Sequence, residues 1–267
     1  GDERGGTNLY TNCIIALEAK TGKLLWHYQF TPHDLHDWDA TEPLVLADAK
    51  LKGRDRKLLL QANRNGFLYV LDRTNGELLL AKPFVKKLNW ASGIGADGKP
   101  ELLPANKPTK AGVKGCPAVR GATNWYSTAF SPATNLFYVM AVEDCSIYKQ
   151  SDVGGYEGYR DPSDSGLKYL RAFDISNGEM VWQAPQVGPQ EANYSGVLVT
   201  AGGLVFYGET GGAFAAADAR TGKVLWTFHA NQPWKASPIT YVLNGRQYVA
   251  IASGGNILSF ALNVADK

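Results

Sequence analysis

Residues 31–43 read TPHDLHDWDATEP. They place four carboxylic side chains (Asp34, Asp37, Asp39, Glu42) and two imidazoles (His33, His36) within 13 positions. In a 267-residue chain that is only 19% charged, this density points to metal ligation or acid–base chemistry. Asp37 and Asp39 are two apart, so in an extended segment they face the same way. Two carboxylates side by side repel unless a cation or a shared proton relieves them. His33 and His36 have HxxH spacing, which suits a transition metal. With Asp34 and Asp37 they would make a divalent-metal hydrolase site, but the sequence offers no supporting ligand set elsewhere.

The elements around this segment repeat. Residues 15–26 read IALEAKTGKLLW, 69–80 YVLDRTNGELLL, 170–182 LRAFDISNGEMVW and 214–226 FAAADARTGKVLW. A last strand, 257–262 (ILSFAL), reads as a fifth copy cut short. Each copy joins an apolar strand to a second strand through a Thr/Ser/Asn–Gly turn, the hairpin signal. The turn glycines, Gly22, Gly76, Gly178 and Gly222, are 54, 102 and 44 residues apart. The shorter spacings fit four-stranded propeller blades. The long one implies a blade with insertions, expected as Gly-, Pro-, Lys- and Asp-rich loops at 82–121 and 146–166. Residues 57–61, 136–142, 197–207 and 247–252 supply further strands. No amphipathic helix longer than two turns is apparent. The expected fold is all-β: a partial propeller of antiparallel four-stranded blades, about four to five of a probable eight, spanning 1–267 as one domain.

Composition agrees with a turn-dense β protein: 29 Gly, 11% aromatic and 45% hydrophobic residues, enough to bury a large core. A net charge of +2 implies no nucleic-acid or other polyanionic partner. No run of 18 apolar residues is present, hence no membrane span is expected, and no signal-peptide pattern is visible. The opening GDERGGTNLYTN reads as a loop entering the last two strands of a blade, so the chain is expected to be a piece of a longer protein. The cysteines, Cys13, Cys116 and Cys145, form neither CxxC nor CxxCH, which indicates neither a zinc ribbon nor a c-type haem. Cys116 and Cys145 flank one hairpin. They are either bonded, which points to an oxidising compartment, or two of three buried thiols.

Five segments carry a resemblance in order along nearly the whole chain: TGKLLWHYQFTPHDLHDWD (21–39), NRNGFLYVLDRTNGELL (63–79), CPAVRGATNWYSTAFSP (116–132), GGLVFYGETGGAFAAADARTGKVLWTF (202–228) and PWKASPITYVLNGRQYVAIASGG (233–255). The chain resembles the pyrroloquinoline quinone (PQQ)-dependent alcohol dehydrogenases of the methanol dehydrogenase type, eight-bladed propellers with Trp-docking repeats. The resemblance implies that Asp37 is the catalytic base, taking the proton of the substrate hydroxyl while the quinone takes a hydride. It implies that Asp37 and Asp39 are metal ligands. A second Asp at position 39 is the lanthanide variant, where calcium-dependent relatives carry a small neutral residue. Arg64 matches the family Arg on the quinone's reactive oxygens. Asn124 and Trp125 match an Asn-Trp near the quinone's carboxylates, and Trp234 lies in the segment that closes the site. Trp26, Trp182 and Trp226 read as structural. His33 reads as a turn-stabilising residue, and His36 replaces the aromatic residue common at its position.

The family's remaining metal ligands, a Glu and an Asn, and its paired-cysteine ring have no match here and are expected upstream, in missing N-terminal blades. The implied cofactors are PQQ and a lanthanide ion, with Ca²⁺ the alternative. The implied partners are a small alcohol and a periplasmic cytochrome c. The rival from another class is a non-catalytic envelope propeller acting as a scaffold. It has no need of Asp37, Asp39 and Arg64 together.

Overall fold

The computed structural model describes residues 4–152, 154–186, 195–209 and 211–263. The chain divides into two units, one of Gly1–Trp125, Ala141–Leu167 and Asp174–Glu179, the other of Tyr126–Met140, Lys168–Phe173 and Met180–Lys267.

In the first unit Cys13–Leu17 pairs with Leu24–Gln29 as a two-stranded sheet. A complete blade follows: Val45–Leu51, Arg54–Ala62, Phe67–Asp72 and Leu78–Pro83, antiparallel and in chain order. Phe67–Asp72 is buried at every position, as a central strand covered on both faces must be. The unit's core is aromatic, with Trp38, Trp90, Phe67, Tyr69 and Tyr148 each at most 1% exposed.

The second unit holds most of a blade built from Ala129–Ser131, Leu136–Glu143, Leu167–Asp174 and Met180–Pro185. It also holds Val197–Val199, Leu204–Gly208, Ala213–Asp218 and Val224–His229 in order, then a three-stranded sheet of Ile239–Leu243, Arg246–Ser253 and Asn256–Phe260. Phe214, Trp234, Val249 and Ile251 form a core cluster there.

The four sequence repeats are four hairpins with the same local irregularity. Pairing shifts at Ala16/Leu17, Val70/Leu71, Ala172/Phe173 and Ala216/Ala217. In each, an acidic residue ends or directly follows the first strand and its carbonyl accepts the turn glycine's N–H: Glu18 from Gly22, Asp72 from Gly76, Asp174 from Gly178 and Asp218 from Gly222. The turn glycines have φ of +70° to +77°, which a side chain would strain. They are also covered. A Cβ on Gly76 would lie 2.7 Å from the Trp26 ring, and one on Gly222 2.6 Å from the Trp182 ring. The Trp closing one repeat thus seats on the turn of the next. The second repeat ends in Leu80 instead, and Leu80 with Lys82 covers Gly178.

Two expectations are corrected. The insertions are not merely loops. Ala91–Ile94 pairs with Pro100–Leu102, and Val113–Gly115, Ser146–Gln150 and Tyr156–Arg160 form a three-stranded sheet. These strands are three to five residues long, and Val113–Gly115 pairs with a strand about 30 residues on, so local pattern does not reveal them. Residues 197–207 are likewise not one strand but two, Val197–Val199 and Leu204–Gly208, turned at Gly203 with φ +80°.

Candidate functional site

The acidic segment lies in the first unit, outside regular strands. Asp34 organises it. Its Oδ1 accepts the His36 N–H at 2.9 Å, and its Oδ2 accepts the Trp38 N–H at 2.7 Å and Asn12 Nδ2 at 3.1 Å. Burial raises the Asp34 carboxyl, but His36 and the two backbone N–H groups outweigh it, so the group stays below the usual carboxylate range. Trp38 is the anchor. It is 0% exposed, stacks on the His36 ring at 4.1 Å and donates Nε1–H to the Ala118 carbonyl at 3.0 Å.

With Trp38 turned into the core, Asp37 and Asp39 on either side of it are both exposed. The expected common direction therefore arises, but not from an extended strand: Asp37 has φ +63°. Both carboxylates line a cleft of about 670 Å³ with Asn12, Tyr148, Glu157 and Tyr159. Burial first, then the Asp39 charge, raises the Asp37 carboxyl, with Arg64 partly opposing.

Arg64 stands in the Asn63–Gly66 turn between two strands of the first complete blade. That turn is closed by Gly66 N–H to Asn63 carbonyl at 2.9 Å and by the Asn63 and Asn65 side chains on following backbone N–H groups. The Arg is 8% exposed, so it is not a solvent-facing turn residue. Its Nη2 donates to the Val119 carbonyl at 2.6 Å, its Nη1 lies 4.0 Å from Asp39 Oδ2, and its buried Nε has no partner. Gly121 (φ +82°) packs on it, where a Cβ would meet the Arg64 side chain at 2.6 Å.

The other expected site residues are placed less directly. Asn124 Nδ2 donates to the Arg120 carbonyl and its Oδ1 accepts the Trp125 N–H, both at 2.9 Å, while Trp125 is 54% exposed. Neither is among the residues lining the cleft. Trp234 belongs to the second unit, 1% exposed, with Nε1–H on the Gly212 carbonyl at 2.9 Å and its ring against Phe214. The HxxH pair does not assemble as a metal site: the His36 side chain is fully buried, while His33 Nδ1 faces the Gly6 carbonyl at 3.0 Å. Glu42, by contrast, was only one acid among four in the sequence, and it is buried at 3% exposure against Arg64.

The family model for the glucose/ethanol/alcohol dehydrogenase β-propeller domain, PQQ type, matches residues 1–83 and 185–249. The chain belongs to the PQQ-dependent alcohol dehydrogenase family. Quinohemoprotein alcohol dehydrogenase ADH IIB of Pseudomonas putida is 40% identical over 94% of this chain and 38% of its own length. The lanthanide-dependent methanol dehydrogenase of Methylacidiphilum fumariolicum is 38% identical over 94% of this chain and 43% of its own. Among solved structures, the quinohemoprotein alcohol dehydrogenase of Comamonas testosteroni aligns with a TM-score of 0.83 at 35% identity, covering 93% of this chain and 39% of that one. A europium-containing methanol dehydrogenase aligns at 0.80 and 35%, covering 93% and 45%. The chain thus spans less than half the length of these relatives.

The residues present fit a quinone and a metal in part. Asp34, Asp37, Asp39 and Glu157 face one cleft opposed by Arg4, an excess of negative charge that a cation would relieve. The orphaned Nε of Arg64 is a spare donor for an acceptor ligand. Among the described residues, no cluster of three or more His, Cys, Asp or Glu could hold a metal ion. Two carboxylates alone do not fill the 6–8 oxygen positions that hard cations of this class take.

Proposed function

We propose that the protein containing this chain is a PQQ-dependent dehydrogenase that oxidises a small alcohol and passes the electrons to a cytochrome c. One observation carries the reading: Asp37 and Asp39 line one cleft and Arg64 Nη1 lies 4.0 Å from Asp39 Oδ2, so three of the residues the family resemblance singles out are neighbours. A scaffold would gain nothing from two exposed, mutually repelling carboxylates beside a buried Arg.

When bound, PQQ supplies the two-electron acceptor and its metal ion polarises the reacting carbonyl. Asp37 accepts the hydroxyl proton of the alcohol at its carboxylate. Asp39 adds an anionic oxygen ligand. A trivalent ion gains more from each added carboxylate than a divalent one, which favours a lanthanide over Ca²⁺ here. Arg64 would hold the quinone through its guanidinium donors and offset negative charge on the quinone oxygens. Asn124 and Trp125 would reach the quinone's carboxylates from the loop whose Ala122 N–H donates to the Arg64 carbonyl at 2.8 Å. Periplasmic residence is supported by the bonded Cys116 and Cys145.

The test is alcohol-dependent dye reduction by the full-length protein loaded with PQQ and La³⁺ or Ca²⁺. Turnover of short alcohols with either metal is expected. A protein that binds no PQQ under either metal would return the scaffold reading.

A further inference from the structure

Glu42 has no role in the proposed chemistry, yet its placement is specific. It is 3% exposed, and its Oε1 accepts the backbone N–H of Arg64 at 3.1 Å. Its own carbonyl is fixed by Gln61 Nε2 at 3.1 Å. Its Oε2 is buried without a partner. On the other side, the Arg64 carbonyl accepts the Ala122 N–H at 2.8 Å, and Gly121 presses against the Arg side-chain stem. The Arg64 peptide is therefore gripped at both polar groups, and the grip on the N–H is a side chain rather than a strand partner.

We propose that Glu42 is a positioning residue for Arg64: its carboxyl fixes the Arg64 backbone and thereby aims the guanidinium toward Asp39. The inference rests on the assignment of Arg64 to the quinone. Burial pushes the Glu42 carboxyl up to about 8, so near neutrality it accepts the N–H largely as the neutral acid. In that form it does not neutralise the guanidinium, and the Arg charge stays available to the quinone oxygens. An ionised Glu at this place would draw the guanidinium back onto itself. The same buried pocket that looks costly for a carboxyl is what separates holding Arg64 from pairing with it.

The experiment is PQQ titration of the full-length protein with La³⁺ present, followed by tryptophan fluorescence, in wild type, Glu42→Gln, Glu42→Leu, Arg64→Ala and the Glu42→Leu/Arg64→Ala double variant. Gln keeps an acceptor for the N–H, while Leu occupies similar volume without one. Glu42→Leu is expected to weaken PQQ binding about tenfold, the effect of one lost buried hydrogen bond. Glu42→Gln should stay within about twofold, and Glu42→Leu should add nothing once Arg64 is gone, the signature of action through that residue. Equal weakening by Glu42→Leu in both backgrounds, or none in either, overturns the proposal. Should Glu42→Leu not fold, Glu42→Asp, whose acceptor is drawn back by one methylene, makes the same comparison. Arg64→Ala with undiminished PQQ affinity would instead remove the Arg64 assignment itself, a different result from failure of the Glu42 link.

Discussion

Residue by residue, the acids of the 31–43 segment divide into those that hold the backbone and those free for chemistry. Asp34 is spent on the N–H groups of His36 and Trp38, whereas Asp37 and Asp39 face open space. Asp37→Asn keeps the shape and removes the base, so kcat of the loaded full-length protein should fall about 10²–10⁴-fold, with the variant still folded by circular dichroism. Asp34→Ala should act differently, lowering both stability and activity because three donors lose one acceptor group; a thermal melt alongside the rate separates the two cases. The spacing of Asp37 and Asp39 could be read from sequence, because residue type and proximity to a Trp are local facts. The division of labour with Asp34 could not, since it depends on which carboxylate turns toward backbone N–H groups. Glu42 was hidden for a similar reason: in TEP it looks like a surface acid, yet it is buried, held by Gln61 and the Arg64 N–H of the blade it leads into.

Among the elements, the hairpins were the most legible part. The Asp/Glu lead, the Thr/Ser/Asn–Gly turn and the closing Trp are all short-range, and the four hairpins share one bulge. What repetition does not state is that Trp26 and Trp182 rest on the turn glycines of following repeats. Gly76→Ala is therefore doubly unfavourable, by its φ of +77° and by a contact at 2.7 Å with Trp26. It should cost at least about 2 kcal/mol in denaturant unfolding, where Gly245→Ala, at φ +76° with nothing within 4 Å, should cost only the backbone part. Equal costs would remove the Trp-docking explanation. The insertion strands escaped detection because segments such as Val113–Gly115 and Pro100–Leu102 are three residues long and rich in breakers. The cleft's Tyr156–Tyr159 wall, which lies on one of them, was missed with it.

For the molecule as a whole, the buried Glu42 makes a statement about pH. Its folded value, about 8, lies above the ordinary 4.5. Between those values the native state holds a proton that the unfolded chain has released, so this group's stabilising share is full below about 4.5 and is lost as pH rises through about 8. Urea midpoints should therefore decline from acid toward mildly alkaline pH, and Glu42→Gln should flatten that slope. The fold class was accessible from repeats because a propeller is assembled from one local unit; the site was accessible only in part, because the chain spans less than half of its relatives' length and its two exposed carboxylates form no full metal shell. The central claim, that Asp37 and Asp39 together face a metal beside the quinone, is tested most directly by calorimetric titration of La³⁺ and Ca²⁺ into the PQQ-loaded full-length protein and its Asp39→Ala variant. The account predicts that La³⁺ binds the wild type more tightly than Ca²⁺ and that the substitution removes most of that preference. Unchanged La³⁺ affinity in Asp39→Ala would contradict it.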